Sequence, residues 1–140
     1  MLTFLHLGFA FLWLGCVLTE ALFERALLSG NRDAHKMLAD LHVRVDLIVE
    51  IPAMIVVLGT GGLLWLGASS LRATSIVMLV AGATALIANA YCVLLVFQRR
   101  EAARSEAWDR FERLDHQQHK VGAVVLLGLI VAIVSGALAH

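Results

Sequence analysis

The chain has 140 residues, 60% of them hydrophobic, a single proline and a mean hydropathy of +0.83. Soluble domains run at about 45 to 50% apolar, so this composition excludes an ordinary water-soluble globule and makes a bilayer the expected solvent. Eleven basic and eleven acidic residues cancel in number and interleave in sequence, which excludes a basic nucleic-acid surface.

At roughly 20 residues per span, the length admits one domain of about four crossing helices. The first apolar run, Leu2 to Leu28, is long enough to cross. It lacks both the basic start and the small-residue cleavage pattern of a signal peptide, so it is expected to remain as a helix. Gly30 suits a left-handed cap, and Asn31 or Asp33 suits the N-cap of the next helix. That helix is expected to start near Asp33 and to span about 39–67, with Pro52 freeing a carbonyl and bending it. A turn at Gly67-Ala68-Ser69-Ser70 leads into a third span over about 76–97. There AGATALIANA, Ala81 to Ala90, offers small residues for close helix packing. A fourth span covers about 121–139. Neither glycine nor proline occurs between Ala83 and Val121, which predicts that the last two helices project as a hairpin with a break near Ser105 or Asp109. The predicted fold is an all-α integral membrane four-helix bundle, one domain over 1–140, with its helices extended on the cytoplasmic side.

Orientation follows from the basic residues. Ten of them flank the first-to-second and third-to-fourth connections, and only Arg72 lies at the other end. The positive-inside tendency then predicts a multi-pass inner (plasma) membrane protein with its charged face cytoplasmic and both termini outside. All eleven acids also fall on or near the charged end. Cys16 and Cys92 lie inside apolar runs and read as small hydrophobes without a disulfide framework.

Carboxylates inside apolar helices need a reason, because each costs roughly 2.5 to 3.5 kcal/mol on insertion scales. His42, Asp46 and Glu50 follow at i, i+4 and i+8 on one helix face and descend about 12 Å at 1.5 Å per residue. The topology brings Glu20 of the first helix, Asn89 of the third, and His116 and His119 of the fourth toward that stripe. Imidazoles and carboxylates converging from several helices of a bundle suit a transition metal. Glu20, His42, Asp46, Glu50, His116 and His119 are therefore the candidate ligands, for iron or zinc in preference to copper(I). Neighbouring arginines would serve a purely structural ion network equally well. Glu24 and His35 read as solvated surface residues, and His140 carries no assigned role.

His6 stands alone at the opposite end. The stretch HLGFAFLWLG, His6 to Gly15, has its histidine and tryptophan seven apart. It resembles the first helix of small haem-associated membrane proteins, which include HemJ-type protoporphyrinogen oxidases and copper-resistance D proteins. The segment LHVRVDLIVEIPAMIVVLGTGGLLWL, Leu41 to Leu66, is similar in general character, and the two together cover about a quarter of the chain. The resemblance implies a haem ligand at His6; the stripe of His42, Asp46 and Glu50 lies outside that pattern.

Three functions compete. The first is a transition-metal-binding membrane protein, redox or hydrolytic, in which an open coordination position activates water or oxygen and Glu50 relays protons. The second is a b-type haem redox protein, its iron held by His6 or by His42 with a histidine of the fourth helix, exchanging electrons with quinone. The third is a small transporter or assembly subunit with a structural polar network, self-associating through Gly59, Gly61, Gly62 and the alanine-rich third helix. Phosphate-binding loops, H-E-x-x-H and G-x-S-x-G motifs are absent from the sequence.

Overall fold

A computed structural model describes residues 1–27, 31–68 and 72–139. Its elements are α1 (Leu2–Leu27), α2 (Arg32–Val45), a π-helical turn (Asp46–Glu50), α3 (Ile51–Leu66), α4 (Ala73–Arg104) and α5 (Trp108–Ala139). Because α2, the π turn and α3 run on without a break, the described residues form four helical rods, and no strand occurs among them. All four rods are long and apolar enough to cross a membrane. Their outer faces carry Phe4, Phe11, Leu22, Ile48, Ile55, Leu63, Ile87 and Leu127, which are exposed. Such a continuous apolar exterior would be unstable in water and suits hydrocarbon.

The local chemistry explains the element boundaries. Asn31 caps α2 by accepting a hydrogen bond from the Ala34 amide at 3.0 Å. Gly30, expected as the preceding cap, and Ser69 and Ser70 of the expected turn lie outside the described residues, as does His140. Pro52 has no N–H to donate, and its ring crowds the carbonyl four residues back. The chain answers with the π turn just before it, where the Ile51 amide reaches back five residues to the Asp46 carbonyl. The disturbance expected at Pro52 thus takes the form of a widened turn, and the two acids Asp46 and Glu50 bound it. The expected break between the last helices falls at Ser105, with Glu106 at φ 58° in the left-handed region.

Two apolar cores stack along the assembly. The first joins Trp13 of α1, Ala53 of α3, Ala85 of α4, and Val125 and Leu129 of α5. The second joins Ala39 of α2, Leu95, Ala102 and Ala103 of α4, and Phe111 and Leu114 of α5. Between α4 and α5, which form the most extensive contact, the small residues work as expected. A methyl group added to Gly128 would lie 3.0 Å from the Ala85 Cβ and 3.1 Å from the Ala81 carbonyl oxygen.

The charged end is tied together outside the apolar cores. Asp40 accepts hydrogen bonds from Arg100 at 2.5 Å and Arg104 at 3.1 Å, which fixes α2 against α4. Lys36 reaches Glu106 in the α4–α5 turn at 2.8 Å, and this hydrogen bond holds the Glu106 carboxyl below its usual range. Arg32 and Lys36 also lie over the Trp108 ring at 5.1 and 5.8 Å.

Candidate metal centre

At the boundary between the apolar rods and the charged end, α1, α2, the π turn, α4 and α5 bring together a buried polar cluster. His42 is its hub. Its Nε2 lies 3.0 Å from Glu20 Oε2 and 4.0 Å from Asp46 Oδ1, and its Nδ1 lies 3.2 Å from Glu24 Oε1. Ligand atoms of Glu20, His42 and Asp46 all fall within 4.8 Å of one another, the spacing of donors that can share one cation. Glu50 is buried one turn beyond Asp46, beside Asp46 and Asn89. The π turn spans Asp46 to Glu50, both of which are buried on the inner face, and such turns are frequent at functional sites.

A second ring of contacts orients His42. Arg99 of α4 has no solvent exposure, and its Nη1 donates to Glu24 Oε1 and to Asp115 Oδ1, each at 2.7 Å. Its Nη2 approaches His42 Nδ1 at 3.5 Å. Gln118 of α5, also buried, donates to Glu24 Oε1 at 3.1 Å. Glu24 is thus held rigidly and in turn faces the imidazole, as carboxylates do behind metal-binding histidines.

Carboxyl groups outnumber basic groups in this region. Five carboxyl groups (Glu20, Glu24, Asp46, Glu50 and Asp115) face Arg99, His42 and His119, so the acids outnumber the bases even with both imidazoles protonated. Three buried carboxylate oxygens, Glu20 Oε1, Asp46 Oδ2 and Glu50 Oε1, have no hydrogen-bond partner among the described residues. Buried polar atoms are normally paired, and unpaired ones mark a missing proton, water or ion. All three orphans belong to the same corner of the cluster.

The sequence-predicted ligands therefore divide. Glu20, His42 and Asp46 come together, and Glu50 adjoins them. His119 stands at the rim, 42% exposed, with Nε2 at 3.1 Å from Glu24 Oε2 and Nδ1 at 3.5 Å from Asp115 Oδ2. His116 is exposed on α5 between the buried Leu114 and Gln118, and faces away. His6 pairs with Thr60 Oγ1 at 2.9 Å, and its ring packs against Gly61, where an added methyl would lie 3.0 Å away. It lies fourteen positions before Glu20 on α1, about 21 Å along the axis, so it takes no part in this cluster.

Two expectations are corrected. Glu24, read as solvated, is 7% exposed and central to the network. His35 is half-buried, stacked on Phe111 at 5.6 Å. Arg99 and Gln118 were not among the expected site residues, although each lies in register with a buried stripe. Ala85, Asn89, Val96, Arg99 and Ala103 recur on one face of α4, as do Phe111, Leu114, Gln118, Val125 and Leu129 on α5. A charged or amide group in step with such a stripe was the available signal. Compared with protein-family models, curated proteins and solved structures, the chain matches none.

Proposed function

We propose that this chain is a membrane-embedded protein that binds one divalent transition-metal ion, iron or zinc, through Glu20, His42 and Asp46, with Glu50 as an adjoining oxygen donor. The observation that carries this reading is the coincidence of donors with deficit. Three ligand atoms gather within 4.8 Å, and the orphaned carboxylate oxygens belong to the same residues and their neighbour. An isolated buried carboxylate is costly. A divalent cation would neutralise two of them and supply the partners that these oxygens lack. Mixed oxygen and nitrogen donors without thiolate suit iron or zinc.

The second observation in its favour is the orientation of His42. Its Nδ1 faces Glu24 and its Nε2 faces Glu20 and Asp46, so an ion bound at Nε2 would leave Nδ1 to donate to Glu24, the arrangement by which a carboxylate orients a metal-binding imidazole. Glu20, His42 and Asp46 would hold such an ion, which would supply Lewis-acid chemistry there. Glu50, in reach of Asp46 and Asn89, is positioned to hold a proton beside it. By the positive-inside tendency the cluster sits toward the cytoplasmic side of the plasma membrane, with both termini outside.

The test is elemental analysis of detergent-purified protein, with an absorption spectrum from the same sample. Iron or zinc at one per chain without a Soret band is expected, together with loss of metal in His42→Ala and Asp46→Asn at unchanged helicity. A Soret band would transfer the argument to haem and His6. Failure of the wild type to retain metal after re-addition overturns the assignment.

A further inference from the structure

Gly15 leaves a gap between α1 and α2, where a methyl group added to it would meet nothing within 4 Å. The gap belongs to a cavity of about 380 Å³ between the two helices, walled mainly by Phe11, Phe23, Leu38, Leu41 and Val45 and reaching Glu20 and His42. Small-molecule sites run from about 300 to 1,000 Å³ and are mostly apolar, with a few polar groups that fix orientation. This cavity has that make-up. Phe11, Phe23 and Leu41 are exposed on the apolar exterior, whereas His42 is buried and the Glu20 side chain is only 14% exposed. The mouth therefore faces hydrocarbon and the polar groups lie at the inner end.

That inner end calls for a hydrogen-bond donor. Glu20 Oε2 lies 3.0 Å from His42 Nε2, and Glu20 Oε1 is buried without a partner among the described residues. Thr19, also in the wall, donates its hydroxyl to the Gly15 carbonyl at 2.7 Å. A carboxylate has about four lone-pair sites, so an ion shared with Asp46 still leaves Glu20 able to accept. No lysine or arginine lines the cavity, which argues against an anionic head such as a fatty-acid carboxylate or a phosphate. A cation is costly to bring through hydrocarbon, and an acyl chain brings no donor. The head that fits is neutral and donates. A phenolic hydroxyl, with a pKa of about 10 as in tyrosine, is a stronger donor to a carboxylate than an alcohol. Its ring also suits a wall that contains two phenylalanines.

We propose that this cavity binds a lipid-soluble phenol, which enters from the bilayer between α1 and α2, fills the space left by Gly15 and donates its hydroxyl to Glu20. The walls and the carboxylate belong to the chain itself, so the proposal goes beyond the metal-binding reading and stands without it.

The experiment measures tritiated 1-naphthol and naphthalene bound by the full-length protein in phosphatidylcholine nanodiscs, over the amounts taken up by empty discs. Saturable binding of naphthol is expected, with naphthalene weaker by about tenfold or more, the factor that a hydrogen bond to a charged group commonly gives. Glu20→Leu should bind the two probes alike. Gly15→Leu fills the space and should weaken naphthol binding by about tenfold or more, while Gly8→Leu, on the same helix in equally open surroundings, keeps wild-type binding. If Gly15→Leu proves misfolded by circular dichroism, Gly15→Val is judged by the same measurements. The proposal is overturned by a wild type that shows no saturable naphthol binding or no preference for naphthol, and equally by undiminished binding in a folded Gly15 variant. Metal content is measured on the same samples. Naphthol bound where no metal is retained upholds the cavity and counts only against the metal-binding reading.

Discussion

Arg99 on α4 holds Glu24 of α1 at 2.7 Å and, through the same nitrogen, Asp115 of α5 at 2.7 Å, in a position with no solvent exposure. One side chain thereby fixes three helices at the level of the cluster and keeps Glu24 facing His42. Removing one partner of a buried pair leaves the other charge uncompensated, which costs about 3 to 5 kcal/mol. Arg99→Met is accordingly expected to lower stability by about that amount in a denaturant titration. Adding Glu24→Gln to it should recover part of the loss. A double variant no more stable than Arg99→Met would show that charge is not the cause.

Pro52 is expected to serve the site through the backbone. Pro52→Ala restores an amide donor and lets the segment around Asp46 and Glu50 return to α-helical register. The fold should survive, with Tm unchanged or raised. Metal retention should fall by about tenfold or more, the range seen when supporting groups around a metal are disturbed. Wild-type metal content in Pro52→Ala would mean that the π turn does not position the carboxylates.

The glycines separate contact from open surface. Gly128 meets Ala85 and the Ala81 carbonyl at the α4–α5 interface, so Gly128→Val should force the hairpin apart and cost about 1 to 3 kcal/mol. At Gly8 an added methyl meets nothing within 4 Å, so Gly8→Ala should be neutral or stabilising by roughly 0.5 to 1 kcal/mol. Thermal unfolding of the two variants side by side checks both signs.

At the α4–α5 turn, Glu106 adopts φ 58°, which a β-branched side chain tolerates poorly and glycine adopts freely. Glu106→Val should lower Tm by a few degrees, and Glu106→Gly should raise it or leave it unchanged despite losing the contact with Lys36. That contact is exposed, so its loss weighs little. Because Lys36 lowers the Glu106 pKa, the contact contributes at neutral pH and disappears as pH falls through the lowered value.

Much of the architecture was legible without coordinates. Four apolar runs separated by polar breaks can form only helices in hydrocarbon, since no other local structure satisfies the backbone internally. The stripe of His42, Asp46 and Glu50 announced a polar face because i, i+4 spacing survives in any helix, and the Ser105 break and the Asn31 cap were local choices of the same kind. Glu24 was misread because its spacing from Glu20 says which face it shares, not whether another helix covers that face.

The sequence by itself therefore determined the helices, their apolar exteriors and the end of the molecule at which charge collects, all of which depend on neighbours along the chain. Only the tertiary structure decided which charged groups meet. It set Arg99 rather than a surface arginine against Glu24, turned His116 outward and left His119 at the rim. It also joined Glu20 to His42 and Asp46 around one point. Those choices depend on helix rotation, which small residues, a buried arginine and the π turn before Pro52 set through contacts between residues far apart in the chain.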